Sequence, residues 1–190
     1  MRNFMTALSV GVAAATILVA GSHSAKAIDN GLPTVNKLPS LSVRLGAYFP
    51  MNSRLKKAVG NTGFSAGVDY VLSRQGASDQ SIVSVGYIDR TSGPNKLKMT
   101  PLTFGGLHYM DVKADQRTYV GYGVGAYFTN VSIPDSVGFQ ETNHTTLYGG
   151  YINAGIEFPG NVFIDARYHF IQAVGSTNPG GLEVTAGARF

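Results

Sequence analysis

The chain has 190 residues, with 15 Lys and Arg against 11 Asp and Glu for a formal charge of +4, and it contains no cysteine. A disulfide framework is thereby excluded, so the fold rests on a core or on closure of a sheet. The small positive excess forms no basic stripe, which speaks against nucleic acid as a partner, and four scattered His without Cys suggest no metal site.

Residues 1–27 read MRNFMTALSVGVAAATILVAGSHSAKA. Arg2, an apolar run from Thr6 to Ala20 and the small-x-small triplet Ala25-Lys26-Ala27 have the layout of a cleaved signal peptide. The run is shorter than the ~20 residues of a spanning helix. Arg2 and Lys26 leave with that segment, removing half of the positive excess. Residues 28–40, IDNGLPTVNKLPS, read as a short periplasmic tail able to tuck under the domain that follows.

From Leu41 onward the chain alternates apolar and polar or tiny residues with a period of two, the signature of strands. Eight such segments occur: 41–49, 64–72, 81–89, 98–110, 118–129, 147–158, 162–171 and 182–190. In the third, Val83, Val85 and Tyr87 share a face while Ile82 and Ile88 fall on the other. In the fourth, the apolar parity changes across Gly105-Gly106, which predicts a β-bulge. No helical periodicity of useful length competes, and the expected class is all-β. The connections are unequal. Residues 50–63 and 130–144 form long gaps, whereas Pro159-Gly160-Asn161 is a tight turn. Seven residues, MDVKADQ, join the fourth and fifth strands. Segments of nine to thirteen residues with alternating long and short connections predict an eight-stranded antiparallel up-and-down transmembrane β-barrel over 41–190.

One face of these strands carries Leu, Val, Ala, Phe and Tyr. The other carries Gly46, Gly67, Gly86, Gly121, Gly123, Gly125, Gly155 and Gly187 together with charges. Glycine on a solvent face weakens a strand for no gain, whereas the interior of an eight-stranded barrel has little room. The glycine-and-charge face is therefore expected inside and the apolar face toward lipid; a soluble barrel with a greasy pocket would need the reverse. On the inner face lie Arg44, Asp69, Glu157, Asp165, Arg167 and Arg189, expected to form a lumen ion-pair network, with His169 and Glu183 higher in the lumen. Buried charges are costly unless paired, and arginine meets carboxylates as a fork. The network is expected to plug the barrel rather than line a path for ions.

The leader, the eight strands, YVGYGVGAYF, NAGIEF, DARYHF and the final GARF resemble the small outer-membrane β-barrels of the outer-membrane-protein A and X type, over Leu41 to Phe190. The resemblance implies a bacterial outer-membrane location and partners in outer-membrane lipid and the barrel-assembly machinery. It also implies that Leu182, Val184, Ala186, Ala188 and the terminal Phe190 act as the assembly signal. With no Trp in the chain, Tyr and Phe alone must form the aromatic girdles. A lipid A-modifying enzyme of this type would need a Ser beside His108, His144 or His169, and the sequence places none there. The expectation is a monomeric, non-enzymatic barrel without cofactor, acting structurally or through loops 51–63 and 130–144. A small channel or a transporter of hydrophobic molecules is the alternative.

Overall fold

The computed structural model describes residues 40–75, 78–110, 116–134, 140–173 and 177–190, with the backbone alone at 134 and 140–143. The expected signal peptide and residues 28–39 lie outside the described residues. Ser40–Arg189 is one compact unit.

Eight strands run in chain order: β1 Leu41–Pro50, β2 Gly63–Gln75, β3 Asp79–Ser92, β4 Asn95–Tyr109, β5 Arg117–Pro134, β6 Gln140–Phe158, β7 Val162–Ile171 and β8 Gly181–Arg189. Each pairs antiparallel with its sequence neighbours, and β8 pairs with β1 from Ser42↔Arg189 to Pro50↔Gly181. Closure removes both sheet edges, the liability of any open sheet.

Alternation sorts the side chains. Val68, Val85, Phe104, Val124, Ile152 and Ile164 stand exposed on the outer wall, while Arg44, Asp69, Glu157, Asp165 and Arg167 are buried within the closed sheet. The outward positions of β1, β5, β7 and β8 carry no charged residue. On β3 and β4 two outward polar pairs stand at separate levels, with Lys96 outward beyond the second. His108 Nδ1 lies 2.8 Å from Asp79 Oδ1 toward the end that holds the termini of the barrel. Lys98 Nζ lies 3.4 Å from Asp89 Oδ2 toward the opposite end. The two levels are ten residues apart on each strand.

Several elements differ from the sequence reading. Gly105 and Gly106 form no bulge: the β4 register runs through them unbroken against β3 and β5. Leu107 and Tyr109 accordingly point inward, and the register shift lies instead between Val71 and Ser73 of β2. Ile82 and Ile88, whose face was out of phase with their neighbours, are buried inside. The cause is shared, because each end of the lumen holds an apolar cluster. Val71, Ile82, Leu107, Tyr109 and Tyr119 cluster at the end of the termini, and Tyr48, Ile88, Leu97, Met99 and Tyr127 toward the other. Apolar residues at those levels therefore say nothing about which face they occupy.

The second difference is a short helix, α1 (Ser53–Val59), inside the expected loop 51–63. Asn52 caps it, accepting from Leu55 N at 3.0 Å, and Gly60 ends it at φ 92°, a conformation that favours glycine. Leu55 and Val59, one turn apart on a single face, are fully buried in the apolar cluster. Arg90 Nε donates to Val59 O at 2.5 Å and Asn95 Nδ2 to Ala58 O at 3.0 Å, tying the helix end to β3 and β4. The third difference is length. Pairing between β5 and β6 continues to Pro134↔Gln140, so most of the expected loop 130–144 is a hairpin. The β6–β7 register begins only at Gly149↔Ile171, so this hairpin outruns β7.

Candidate functional site: the filled lumen

A chain of charges crosses the lumen from β8 through β1 and β2 to β7. Arg44 of β1 donates through Nη1 to Asp69 Oδ1 of β2, and its Nε lies 3.6 Å from Glu183 Oε1 of β8. Arg167 of β7 sets Nη2 3.7 Å from Asp69 Oδ2 and Nε 3.6 Å from Asp165 Oδ1. Its guanidinium also stacks 4.2 Å from the ring centroid of Tyr151. Asp165 Oδ2 accepts from Asn153 Nδ2 at 2.5 Å and from the Tyr119 hydroxyl at 3.2 Å. His169 Nε2 is 3.0 Å from Glu183 Oε2 and Nδ1 is 3.1 Å from the Tyr127 hydroxyl. Removing such groups from water is costly, and mutual pairing offsets the cost only when most of their hydrogen-bonding capacity is met. Here each carboxylate has at least two partners within 3.7 Å, while Asp165 Oδ1 and the Nε atoms of Arg44 and Arg167 sit in ion contacts without a hydrogen bond.

A second group lies at the level of the termini. Glu157 is met by Arg189 Nε at 2.9 Å, by Arg117 Nη2 and by the Tyr109 hydroxyl at 3.0 Å. Arg189 stacks 5.3 Å from the Tyr119 ring and 5.0 Å from that of Phe163. Tyr119 thus joins both groups, bonding Asp165 of one and carrying Arg189 of the other.

The glycines make the space. A Cβ on Gly67 would stand 2.5 Å from Cζ of Arg44, its partner in the β1–β2 register. On Gly123 it would stand 2.4 Å from the Tyr151 ring, and on Gly155 2.3 Å from that of Tyr119, again cross-strand partners. Large side chains lie across bare backbone, the small-against-large complementarity that fills a narrow interior.

The structure brings Arg44, Asp69, Asp165 and Arg167 together and sets Glu157 with Arg189 in the second group. Glu183 and His169 are no separate upper feature, since Glu183 reaches Arg44 directly. Sequence reasoning missed Arg117, Tyr109, Tyr119, Tyr127, Tyr151 and Asn153. Parity could have found Arg117, Tyr119 and Tyr127, which share the phase of Gly121, Gly123 and Gly125, and Tyr151 and Asn153, which share that of Gly155. The positions Leu182, Val184, Ala186 and Ala188 lie outward on β8, and Phe190 is exposed.

The chemistry open to this arrangement is limited. Both ring nitrogens of His169 are occupied by Glu183 and Tyr127, leaving none to activate a serine. His108 faces outward against Asp79, and His144 is exposed on the long hairpin. Among the described residues no group of three or more His, Cys, Asp or Glu is placed to hold a metal ion.

Closed, antiparallel, eight-stranded and inverted in polarity, the chain has the fold of the small outer-membrane β-barrels. It is similar to neisserial surface protein A at a TM-score of 0.52 and 16% identity, over 79% of this chain and 95% of that one. It is similar to Ail, the attachment invasion locus protein of Yersinia pestis (TM-score 0.49, 17% identity, 80% and 99% covered). It is also similar to the N-terminal β-barrel domain of Pseudomonas aeruginosa OprF (0.48, 15%, 80% and 96%). At such identities what is shared is the fold. No protein-family model matches the sequence, and no curated protein does.

Proposed function

We propose that this protein is a monomeric, non-enzymatic barrel of a bacterial outer membrane, closed to solutes, that acts through its α1 end. The observation that carries the reading is the outer wall of β3 and β4. The Lys98–Asp89 ion pair and the His108–Asp79 pair, ten residues apart, bound a stretch with no outward charge. At about 3.3 Å per residue they stand ~33 Å apart along the strand. A tilt of about 40° turns that into a band about 25 Å tall, the height of the apolar belt of outer-membrane barrels. Such a wall would be an aggregation hazard in water and is at home in lipid.

The lumen supports the closed state, since an ion-pair network sits between two apolar clusters and α1 lays Leu55 and Val59 over one of them. The β5–β6 hairpin supports interaction as the role. Among the described residues, β6 beyond Tyr148 has no partner strand in β7, and a strand edge left in that way invites an extended segment of another protein. With the α1 end outside the cell, Leu182, Val184, Ala186, Ala188 and Phe190 would serve as the recognition signal for assembly.

Expression of the full chain in a Gram-negative host, followed by gel analysis of the outer-membrane fraction with and without boiling, tests the reading. A heat-shifted band and a silent planar bilayer are expected. A soluble, unshifted protein would overturn the membrane assignment, and steady conductance by wild type would replace the plug with a channel.

A further inference from the structure

The mouth at the α1 end is covered unevenly. α1 packs on β3, β4 and β5, whereas the ends of β6 and β7 border a crevice of about 590 Å3. That volume falls in the ~300–1,000 Å3 range of small-molecule sites. Three aromatic rings line it, Tyr148 of β6 with Tyr168 and Phe170 of β7, and so do three side-chain amides, Asn52, Gln172 and Asn178. Tyr148 is 65% and Phe170 53% exposed, and the Tyr168 and Phe170 rings lie 4.6 Å apart.

Each amide is held by its oxygen. Asn52 Oδ1 accepts from Leu55 N at 3.0 Å, Gln172 Oε1 from Tyr148 N at 3.3 Å and Asn178 Oδ1 from Gly180 N at 2.7 Å. Gln172 is clamped a second time, its backbone N–H donating to Tyr148 O at 3.1 Å. Fixing the oxygen fixes the plane of the amide, and the NH2 is then the group through which it meets a ligand. Much of the ordering cost of binding is thereby met in the free protein. Among the described residues no Asp, Glu, Lys or Arg lines the crevice, and the side chain of His169, whose residue borders it, is buried and bonded to Glu183 and Tyr127.

We propose that this crevice binds a neutral sugar ring. The C–H faces of a pyranose are apolar and flat enough to rest on exposed aromatic rings, while its rim of hydroxyls accepts from amide NH2 groups. An acyl chain would strip water from three amides and leave them unpaired, at a cost of roughly 1–3 kcal/mol for each buried group. An anion would find no cation in the lining. The proposal rests on the α1 end facing out of the cell, where the sugar could belong to a soluble glycan or to a glycolipid of the envelope itself.

The test uses the whole barrel folded in detergent micelles, with the heat-shifted gel band as the check on folding. Saturation-transfer NMR is recorded with the methyl glycosides of glucose, galactose, mannose and N-acetylglucosamine. At least one glycoside should receive saturation, and Gln172→Ala, Asn178→Ala and Tyr148→Ala should each weaken it about tenfold, the loss of one good contact. Absence of transfer to every glycoside from a folded barrel overturns the proposal, as does transfer unchanged in all three variants. Because folding is read separately, that failure is distinct from failure of the barrel assignment. Repeating the binding with lipopolysaccharide in nanodiscs separates the sources: competition with the free glycoside assigns the envelope glycolipid, and binding of the free glycoside alone assigns a soluble glycan.

Discussion

The two faces of this barrel are built from the same strands and obey opposite rules. On the inner face Arg44, Asp69, Asp165, Arg167 and Glu183 are matched to one another within 3.7 Å, and each depends on where its neighbours stand. On the outer face Val68, Val85, Val124 and Ile164 stand exposed on the wall with no polar partner, and each needs only to be apolar. The inner face therefore specifies residues and the outer face specifies a class. Substitutions should separate the two.

The largest effect is expected inside. Arg44→Ala leaves Glu183 with His169 alone and Asp69 with an Arg167 contact of 3.7 Å, two buried carboxylates short of a partner. Breaking a buried pair from one side costs about 3–5 kcal/mol, and urea unfolding of the refolded barrel in lipid vesicles should show it. Arg117→Ala is the control. Glu157 keeps Arg189 at 2.9 Å and Tyr109 at 3.0 Å, and the Arg117 side chain is 26% exposed, so the loss should stay below about 1 kcal/mol. Equal losses in both variants would mean that depth in the lumen does not matter.

The outer face should fail to a different substitution. Val85 lies between the Asp79 and Asp89 levels of β3 and points outward. Val85→Leu keeps the class and is expected to be close to neutral. Val85→Arg places a charge near the middle of the belt, at about 2–4 kcal/mol, in the same vesicle assay. If the arginine variant is as stable as wild type in lipid, the belt is not in a bilayer and the membrane assignment falls with it.

How much of this was legible depends on how uniform each face is. All eight strands were readable because lipid-facing and lumen-facing demands differ at every step of their middle thirds. The signal fades where both faces are apolar, which is why Leu107 and Tyr109 looked outward and Gly105-Gly106 looked like a bulge. It fades again in QETNHTT, where neither face is apolar and β6 nevertheless continues. The helix α1 spans seven residues, too few for a periodic pattern, and its two buried anchors show their purpose only against the cluster they close. Within the lumen, parity put Arg44, Asp69 and Glu183 on one face. Which carboxylate each arginine meets depends on the β8–β1 closure and the strand tilt, neither of which is written in any single segment.

A smaller effect sharpens the comparison further, because it tests whether the inner face works as a unit. Gly67 leaves room for the Arg44 guanidinium, and a Cβ there would fall 2.5 Å from its Cζ and 2.6 Å from Nη2. Every close atom belongs to that one side chain, so Gly67→Ala must push Arg44 off Asp69 rather than strain the backbone. An overpacked interior costs about 1–3 kcal/mol. In the Arg44→Ala background the obstacle is gone, and Gly67→Ala should cost under about 0.5 kcal/mol, within ordinary surface variation. A double-mutant cycle therefore has a required sign: strong coupling if the glycine exists to seat the arginine, and simple additivity if it merely loosens the strand. The outward Ala66 on the same strand, one residue away, offers the matched position where Ala66→Gly should show no coupling to Arg44 at all.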